Sequence, residues 1–553
     1  MPAAVASPPA ASAGRAGGSV RGEVLLLAAV VVVQLLPLLL LPYLPTQDGP
    51  SHQALDFALR VWERPEGAPL RHYLVRNPEA LPNWFVFFLQ AKVLAFLPQL
   101  VAEKVLVAGY VVLLPLALRY ALRGVDRDAG FLAALGPVLT YNYLLAMGFL
   151  NFCWSLAAFL FALGFYLRRR VRFGVGDAVL LALQALWVYS CHAVTLVMLL
   201  LAVATLGGCW ALGDARAEGG GWRPLLLALR RRLLLPALAF APALLLLAAF
   251  VGRRLDRPTS HLTFAVKTRQ LLALYSLVSL DRRTLVFAAG LSLLLAILVV
   301  VLLRQRRGGG LATWDALLPV GALFTIVYYL APSELAGGGF VNHRLALFPP
   351  LALLLWLAAG HWGSRARQAL PLAGAALALG LLAMLWLRWR EIDRYLAEYI
   401  DAAERVEDGR TVLPLGFAPG GVTPDGRVLA FRVWPFVHAV GYVAGRRPIV
   451  DLGLYEASED YFPLRFRPEL DPYRYLATRK GGLEDVPPQV DIPAYERRGG
   501  RVDYVLLWQP KAAPPLDPAT RSLYGQLQAG FERVFVSAGG RAELWRHRVS
   551  PLP

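Results

Sequence analysis

The sequence VLLLAAVVVVQLLPLLLL (residues 24–41) is followed after four residues by TQDGPSHQ (residues 46–53). The apolar run predicts a membrane-spanning helix, because about 20 apolar residues are needed to cross the hydrocarbon core of a bilayer. Asp48 is the first carboxylate beyond this run, and His52 shares its face if a helix begins at Pro50. Taken alone, Asp-Gly-Pro is more typical of a turn that starts a helix.

The composition predicts a helical membrane protein. Of the 553 residues, 57% are hydrophobic and only 17% are charged, and apolar runs of similar length recur along the chain. The net charge of +18 does not indicate nucleic-acid binding, because the arginines form short clusters between apolar runs, as in cytoplasmic loops. Cys153, Cys191 and Cys209 lie within or beside apolar runs without zinc-type spacing, which predicts packed thiols.

Positive charge between the runs predicts the topology. Residues 1–21 are read as a flexible cytoplasmic tail, residues 22–387 as a multi-span domain with a first outer loop at 43–100, and residues 388–553 as an extracytoplasmic domain. Residues 83–97 are ambiguous, and we favour an interfacial or re-entrant helix, since a full span would place Arg119, Arg123 and Arg127 outside. The predicted spans are 24–41, 101–118, 130–147, 150–167, 177–190, 193–211, 233–251, 284–303, 312–331, 345–360 and 369–387.

Two features of the outer loops stand out. His52, Leu55, Leu59 and Trp62 have helical spacing and predict an amphipathic helix along the surface or under the rim of the protein. The outer loop 252–283 contains seven cations, against the positive-inside rule. Either the topology is wrong there, or these cations bind something anionic on the outer side.

The last part of the chain predicts a small α/β domain. Short β-rich pieces occur at 412–415, 448–451, 502–507 and 534–536, and helices are predicted at 391–406 and 518–531. No nucleophile elbow, phosphate loop or metal-ligand cluster of a soluble enzyme is present in this sequence. The fold class is therefore mainly α, a polytopic helical membrane protein with about eleven transmembrane helices and a C-terminal extracytoplasmic α/β domain.

Four separate polar segments are predicted to meet at the outer ends of the spans. They are Asp48 with His52, the hairpin Met147–Asn151, the turn Ser190–His192, and the Gly-rich approach to Asn342, His343 and Arg344. Ionisable groups near a bilayer core are costly and usually face a cavity or a partner. Each residue also has a structural interpretation: His192 pairing with a carbonyl, Asn151 capping a helix, His52 orienting its loop, and Arg344 reaching lipid phosphate.

The outward carboxylate right after the first span resembles the GT-C superfamily of integral-membrane glycosyltransferases. The stretch Asp48–His52 corresponds to an Asp-Glu-x-x-His-like motif of that superfamily, and Asn342-His343-Arg344 resembles its outer loop before a late span. The Gly-Phe-Leu-Asn hairpin and the span-end His192 are similar to uncharacterised bacterial GT-C-like membrane proteins. The many-span body followed by an outer α/β domain has the same organisation.

The resemblance implies transfer of a sugar from a polyprenyl-phosphate donor to a lipid, glycan or protein acceptor at the inner membrane. It makes Asp48 the general base, with His52 beside it, and gives donor contacts to Asn151, His192, Asn342 and Arg344. The sequence departs from the motif because Gly49 replaces a second acid, and the next acid is Asp56. The superfamily has metal-dependent and metal-independent members, so no metal ligand is assigned and a divalent metal stays open.

The alternative is a membrane protein without enzymatic activity. A transporter is typically built from inverted repeats with interrupted helices at matched positions, and no convincing repeat is present. A degenerate GT-C scaffold with a partner-binding outer domain also fits the missing second acid.

Overall fold

The structure, a computed structural model, describes residues 13–254, 257, 259–306, 312–335, 337–479, 481–512 and 517–548. The first twelve residues of the predicted tail lie outside these ranges. From residue 13 the tail is not an irregular segment but the start of the helix Ala13–Leu40.

A bundle of apolar helices forms the body of the protein. Nine helices in the described ranges are long and apolar enough to cross a membrane, and two more apolar helices are shorter. The eleven predicted spans fall on these eleven segments, and the number that cross the membrane stays a prediction. The nine are Arg21–Leu40, Gln99–Val125, Ala129–Ala146, Leu150–Arg168, Ala193–Ala217, Trp222–Gly252, Arg282–Gln305, Thr313–Leu330 and Ser364–Ala403, and the two shorter ones are Val175–Cys191 and Val341–Leu357.

Two segments of the bundle differ from regular spans. Residues Ala129–Leu139 form a tight 3₁₀ helix that is buried along its whole length, and Gly374 of the long helix Ser364–Ala403 packs against it so closely that a Cβ would lie 2.4 Å from Ala134 O. The ambiguous segment 83–97 contains only the short helix Phe85–Phe88 and the wider turn Leu89–Val93. These nine residues rise about 14 Å, too little to cross a bilayer.

The C-terminal part contains the predicted α/β domain. The strands of the chain are β1 (Leu74–Arg76), β2 (Thr411–Gly416), β3 (Val450–Asp451), β4 (Leu464–Phe466), β5 (Tyr504–Trp508), β6 (Phe531–Val536) and β7 (Ala542–His547). Five of them form one sheet in the order β3-β2-β5-β7-β6, in which β3, β2 and β5 are parallel and β7 is antiparallel to both of its neighbours. The four predicted strands correspond to β2, β3, β5 and β6, and the predicted helix 518–531 to Pro518–Gly530, whereas β7 is not predicted by the sequence.

The helix Ser364–Ala403 joins the bundle to the domain without a break. Its 40 residues rise about 60 Å, twice the thickness of a hydrocarbon core. The predicted boundary at 388 therefore falls inside a helix whose second half packs on the sheet, where the rings of Tyr399 and Trp508 lie 5.3 Å apart. A second connection is the antiparallel pair β1–β4, which joins the first loop to the domain.

Three cations of the segment 252–283, Arg253, Arg254 and Arg257, pair with acids at the junction between bundle and domain. Arg254, only 2% exposed, pairs with Glu79 of the first loop and Asp460 of the domain at 3.1 Å each. Arg257 pairs with Glu459 and Asp460. The sequence predicts either a wrong topology or an anionic partner for the cations of this loop, and for Arg254 and Arg257 the anionic partners are acids of the protein itself.

The predicted amphipathic helix is the helix Gly49–Arg60, and it lies buried between bundle and domain. The short helix Gly441–Ala444 of the domain packs directly on its first turn. A Cβ at Gly441 would lie 2.2 Å from Pro50 O, and one at Gly445 would lie 2.8 Å from Gln53 Cβ. Only glycine allows this approach, so the contact fixes how the domain meets the first loop.

Gly441→Ala should destabilise the protein by about 1–3 kcal/mol, because the added methyl group meets backbone atoms that cannot move aside independently. Thermal unfolding of the purified protein measures this change. Gly525→Ala is the matched control: a Cβ there meets nothing within 4 Å, and alanine favours the helix Pro518–Gly530. Equal melting temperatures for the two variants would contradict the proposed close contact.

Candidate active site

The first loop and the Met147–Asn151 hairpin are joined through their backbones. Gln47 N–H donates to Ala146 O at 3.1 Å, and Asp48 N–H donates to Met147 O at 3.0 Å. Gly148 has φ +88°, and a Cβ there would lie 2.4 Å from Gly49 N. Two of the four predicted polar segments therefore meet, and Gly148 is required both for its backbone angle and for the close approach.

Asp48 lies at the start of the helix Gly49–Arg60 but does not cap it with its side chain. Its carboxylate instead accepts a hydrogen bond of 2.8 Å from the Tyr455 hydroxyl of the C-terminal domain. Burial raises the pKa of Asp48 to about 7, while hydrogen bonds from Tyr455 and Gln47 and the charge of Arg344 act in the opposite direction. A carboxyl with this pKa changes its protonation state near neutral pH.

The domain also places a second acid, Glu456, against the same helix. Its Oε1 contacts both the Ser51 hydroxyl and His52 Nε2, the latter at 3.4 Å. The Ser51 hydroxyl has one proton, and Asp48 O, 2.8 Å away, is a second acceptor for it. When Glu456 is protonated, its carboxyl donates to the Ser51 oxygen and the Ser51 hydroxyl donates to Asp48 O, so both contacts are hydrogen bonds. Burial raises the pKa of Glu456 well above its usual range, which favours this protonated form.

His52 faces Glu456 rather than the Asp48 carboxylate. Its ring lies 5.2 Å from Phe87, and burial lowers its pKa to about 3, so it is neutral. Its backbone N–H donates to Asp48 O at 3.0 Å. His52, the predicted partner of Asp48, therefore orients the helix start.

Asp56, the next acid in the sequence, is buried with neither carboxyl oxygen hydrogen-bonded within the described residues.

Arg344 lies at the centre of the predicted constellation. Its guanidinium is 4.5 Å from the centroid of the Phe149 ring, and it interacts electrostatically with Asp48 and Tyr455. Within the described part of the chain no carboxylate forms an ion pair with it at 4 Å or less, and its buried Nε has no hydrogen-bond partner. Its Nη1 donates to Gly339 O, and a half-buried guanidinium that has no carboxylate partner in the described ranges and lies near Asp48 is suited to bind an anion.

His192 reaches the same region from the bend between the helices Val175–Cys191 and Ala193–Ala217. Its ring meets the Phe152 ring edge-on at 5.1 Å, and Arg344 is its electrostatic neighbour. Its Nδ1 is buried without a hydrogen-bond partner among the described residues. The structure thus brings Asp48, His192 and Arg344 together.

The two predicted asparagines hold neighbouring segments in place. Asn151 Oδ1 accepts from Val86 N–H at 2.9 Å, and its Nδ2 donates to Asn83 O at 2.8 Å, which attaches the re-entrant segment to the bundle. Asn342 Nδ2 lies 3.3 Å from Tyr328 O, near the end of the helix Leu317–Leu330. Both polar atoms of the Asn151 side chain therefore have a backbone partner, and a substrate contact of Asn151 stays a prediction.

A small cavity of about 20 Å³ adjoins the helix start, and His52, Gln53, Gln90 and Glu103 are its polar lining residues together with Thr46. It has room for about one water molecule. No group of three or more His, Cys, Asp and Glu side chains in the described ranges could hold a metal ion. No protein-family model matches the chain, and no curated protein matches it either.

Tyr455→Phe should raise the pKa of Asp48 further, by about one pH unit, because it removes a hydrogen bond that favours the ionised carboxylate. Infrared titration of the protonated carboxyl band, assigned with Asp48→Asn, measures this pKa. Tyr473→Phe is the control, since that hydroxyl contacts Gly453 O and Glu484 instead. An unchanged titration in Tyr455→Phe would show that the hydrogen bond does not set the pKa.

Proposed function

We propose that the chain is a membrane glycosyltransferase of GT-C type, with Asp48 as its general base. It would transfer a sugar from a polyprenyl-phosphate-linked donor to a lipid, glycan or protein acceptor. The observation on which the proposal depends is the meeting of a buried carboxylate, Asp48, with an unpaired guanidinium, Arg344, at the junction of an apolar helical body and an α/β domain.

The chemistry follows from these two groups. Asp48 takes the proton of the acceptor hydroxyl while the acceptor oxygen bonds to the anomeric carbon of the donor sugar. The bond between that carbon and the phosphate oxygen breaks, and the lipid phosphate leaves with the electron pair. Arg344 stabilises the phosphate, and His192 lies beside it. Because Asp48 is 3% exposed, Tyr455 must move aside to admit the acceptor.

A second candidate is supported by the same hydrogen bond. The Tyr455 hydroxyl of the domain donates to the Asp48 carboxylate, and in this second candidate the bond serves only to hold the domain on the bundle. The chain would then be a GT-C-like scaffold without transferase activity, whose domain binds a partner.

Asp48→Asn should lower sugar transfer by about 10²–10⁴-fold, because the amide cannot accept the proton, and should leave folding intact. Purified protein supplied with lipid-linked sugar donors is the assay. Asp401→Asn, at an exposed helix position, is the control. Wild-type transfer by Asp48→Asn would disprove the base, and a folded wild-type protein that transfers no sugar from any donor would favour the scaffold.

We further propose that the N-terminus and the arginine-rich end of the bundle face the cytoplasm and that the C-terminal domain lies outside. This agrees with the positions of the cations, since the helix Leu150–Arg168 begins at the domain end and its other end carries Arg168, Arg169, Arg170 and Arg172.

The orientation predicts opposite labelling of two introduced cysteines in intact cells. In a Cys209→Ser background, a membrane-impermeant maleimide should modify Asp425→Cys and leave Gly174→Cys unmodified until the membrane is opened. Both positions are exposed, and the remaining cysteines, Cys153 and Cys191, are buried. The reverse pattern would invert the proposed topology.

A further inference from the structure

A small cleft lies in the C-terminal domain, at the carboxyl end of the parallel strand β2. Its volume of about 10 Å³ gives room for one group the size of a water molecule. The chain places β3 on one side of β2 and later β5 on the other, and Gly416, at the end of β2, and Gly453, after β3, both line the cleft. In open α/β sheets, ligands bind outside the carboxyl ends of the strands at such a reversal of strand order.

The cleft has a buried floor and a half-buried mouth. The buried residues His438 and Gly453 form the floor, and Tyr473 and Glu484 lie half-buried at the mouth. The His438 side chain is only 3% exposed. A ligand group that enters the cleft therefore meets polar atoms that are largely removed from water, where hydrogen bonds and charge interactions are stronger than at an open surface.

The cleft contains more hydrogen-bond acceptors than donors. The Tyr473 hydroxyl lies 3.0 Å from Gly453 O and 2.9 Å from Glu484 Oε1, and its single proton can bond only one of them at a time. Burial lowers the pKa of His438 to about 3, so its ring is neutral and one of its two nitrogens is an acceptor. Among the described residues, His438 Nδ1 and the nearby Asp451 Oδ2 are both buried without a hydrogen-bond partner.

The acids at the cleft have no cationic partner in the part of the chain that the structure describes. Neither Glu484 nor Asp451 forms an ion pair there, whereas the residue next to Glu484, Asp485, pairs with Arg479 at 2.7 Å. Burial raises the pKa of Glu484, and it raises the pKa of Asp451 to about 7. A buried carboxylate is costly without a counter-charge, so a positively charged ligand would stabilise its ionised form.

We propose that the cleft binds the primary ammonium group of a ligand, with Glu484, Gly453 O and His438 as its hydrogen-bond acceptors. Such a group is close to water in size, carries a positive charge and has three N–H donors and no acceptor, so it matches the room, the charge and the missing donors. Because Gly453 O and Glu484 Oε1 contact the same hydroxyl oxygen, they are at most about 5.9 Å apart, and one nitrogen can bond both.

The cleft lies next to the candidate base. The rings of His438 and Tyr455 stack with their centroids 5.0 Å apart, and Tyr455 donates to Asp48 at 2.8 Å. Glu484 also interacts electrostatically with Asp48. Charge that a ligand brings into the cleft is therefore felt at Asp48, although binding of the ammonium group does not depend on the proposed sugar transfer.

Binding of ¹³C-labelled ethanolamine to the full-length protein in phosphatidylcholine nanodiscs, followed by NMR, tests the site. Glu484→Gln should weaken binding about tenfold or more, because a charge-assisted hydrogen bond is lost. Gly416→Val should weaken it similarly by filling the cleft, because a Cβ at Gly416 meets only Pro419, at 4.0 Å, and has no clash in the protein. Ethylene glycol and tetramethylammonium should both compete poorly, since the first lacks the charge and the second lacks the N–H donors.

The chain offers a matched control for each variant. Asp485→Asn removes the neighbouring carboxylate, which pairs with Arg479 and does not line the cleft. Gly525→Val adds the same side chain to a helix of the same domain, at a position where a Cβ meets nothing within 4 Å. Both controls should bind ethanolamine like the wild type, and melting temperatures show that the four variants are folded.

Absence of ethanolamine binding by the wild type, or wild-type affinity in a folded Glu484→Gln or Gly416→Val, would overturn the site. Full competition by tetramethylammonium would overturn it as well, because it would show only a general attraction of cations. Nanodiscs of phosphatidylethanolamine then distinguish two sources of the ammonium group. Loss of ethanolamine binding in them identifies a lipid head group as the occupant of the site, and undiminished binding identifies a soluble amine.

Discussion

The first turn of the helix Gly49–Arg60 is held between two glycines, Gly148 from the bundle and Gly441 from the domain. On both sides the backbones are so close that a single Cβ would collide with them. Because interiors are close-packed, such contacts leave little freedom to the residues between them. Asp48 begins this turn, so the same packing that joins the two parts of the protein also places the candidate base. The site is a property of the junction and of neither part alone.

The arginines at the junction form two groups, those with a carboxylate partner and those without one. Most of the arginines that connect the first loop, the segment 252–283 and the domain have carboxylate partners, such as Arg254 with Glu79 and Asp460. Removing one partner of such a pair would leave a buried charge, which is far more costly than the pair is stabilising. Arg344 and Arg432 differ because aromatic rings and carbonyls surround them. The paired arginines connect the first loop to the domain, whereas Arg344 donates to Gly339 O and Arg432 to Tyr275 O and Val278 O.

Side chains from the bundle and from the domain form one cluster near Asp48. Arg432 of the domain lies between the rings of Tyr275 and Tyr143, and Tyr143 interacts electrostatically with Asp48. The domain contributes Arg432 as well as Tyr455 and Glu456, so its docking and the chemistry depend on each other. This dependence gives a physical reason for an α/β domain fused to the bundle by one continuous helix.

The sequence by itself determined the elements whose signal is local. Apolar runs of membrane length, the β-rich pieces and the position of Asp48, His192 and Arg344 at the ends of apolar runs follow from the sequence, because span length, strand composition and charge position act within one segment. The tertiary structure alone decided that Glu456, more than 400 residues from Ser51, contacts Ser51 and His52 at the start of the helix. It also gave Asn151 backbone partners in the re-entrant segment and, among the described residues, left Arg432 without a carboxylate partner. These are contacts between segments distant in sequence, and a side chain's partner there is set by packing, which no local pattern records.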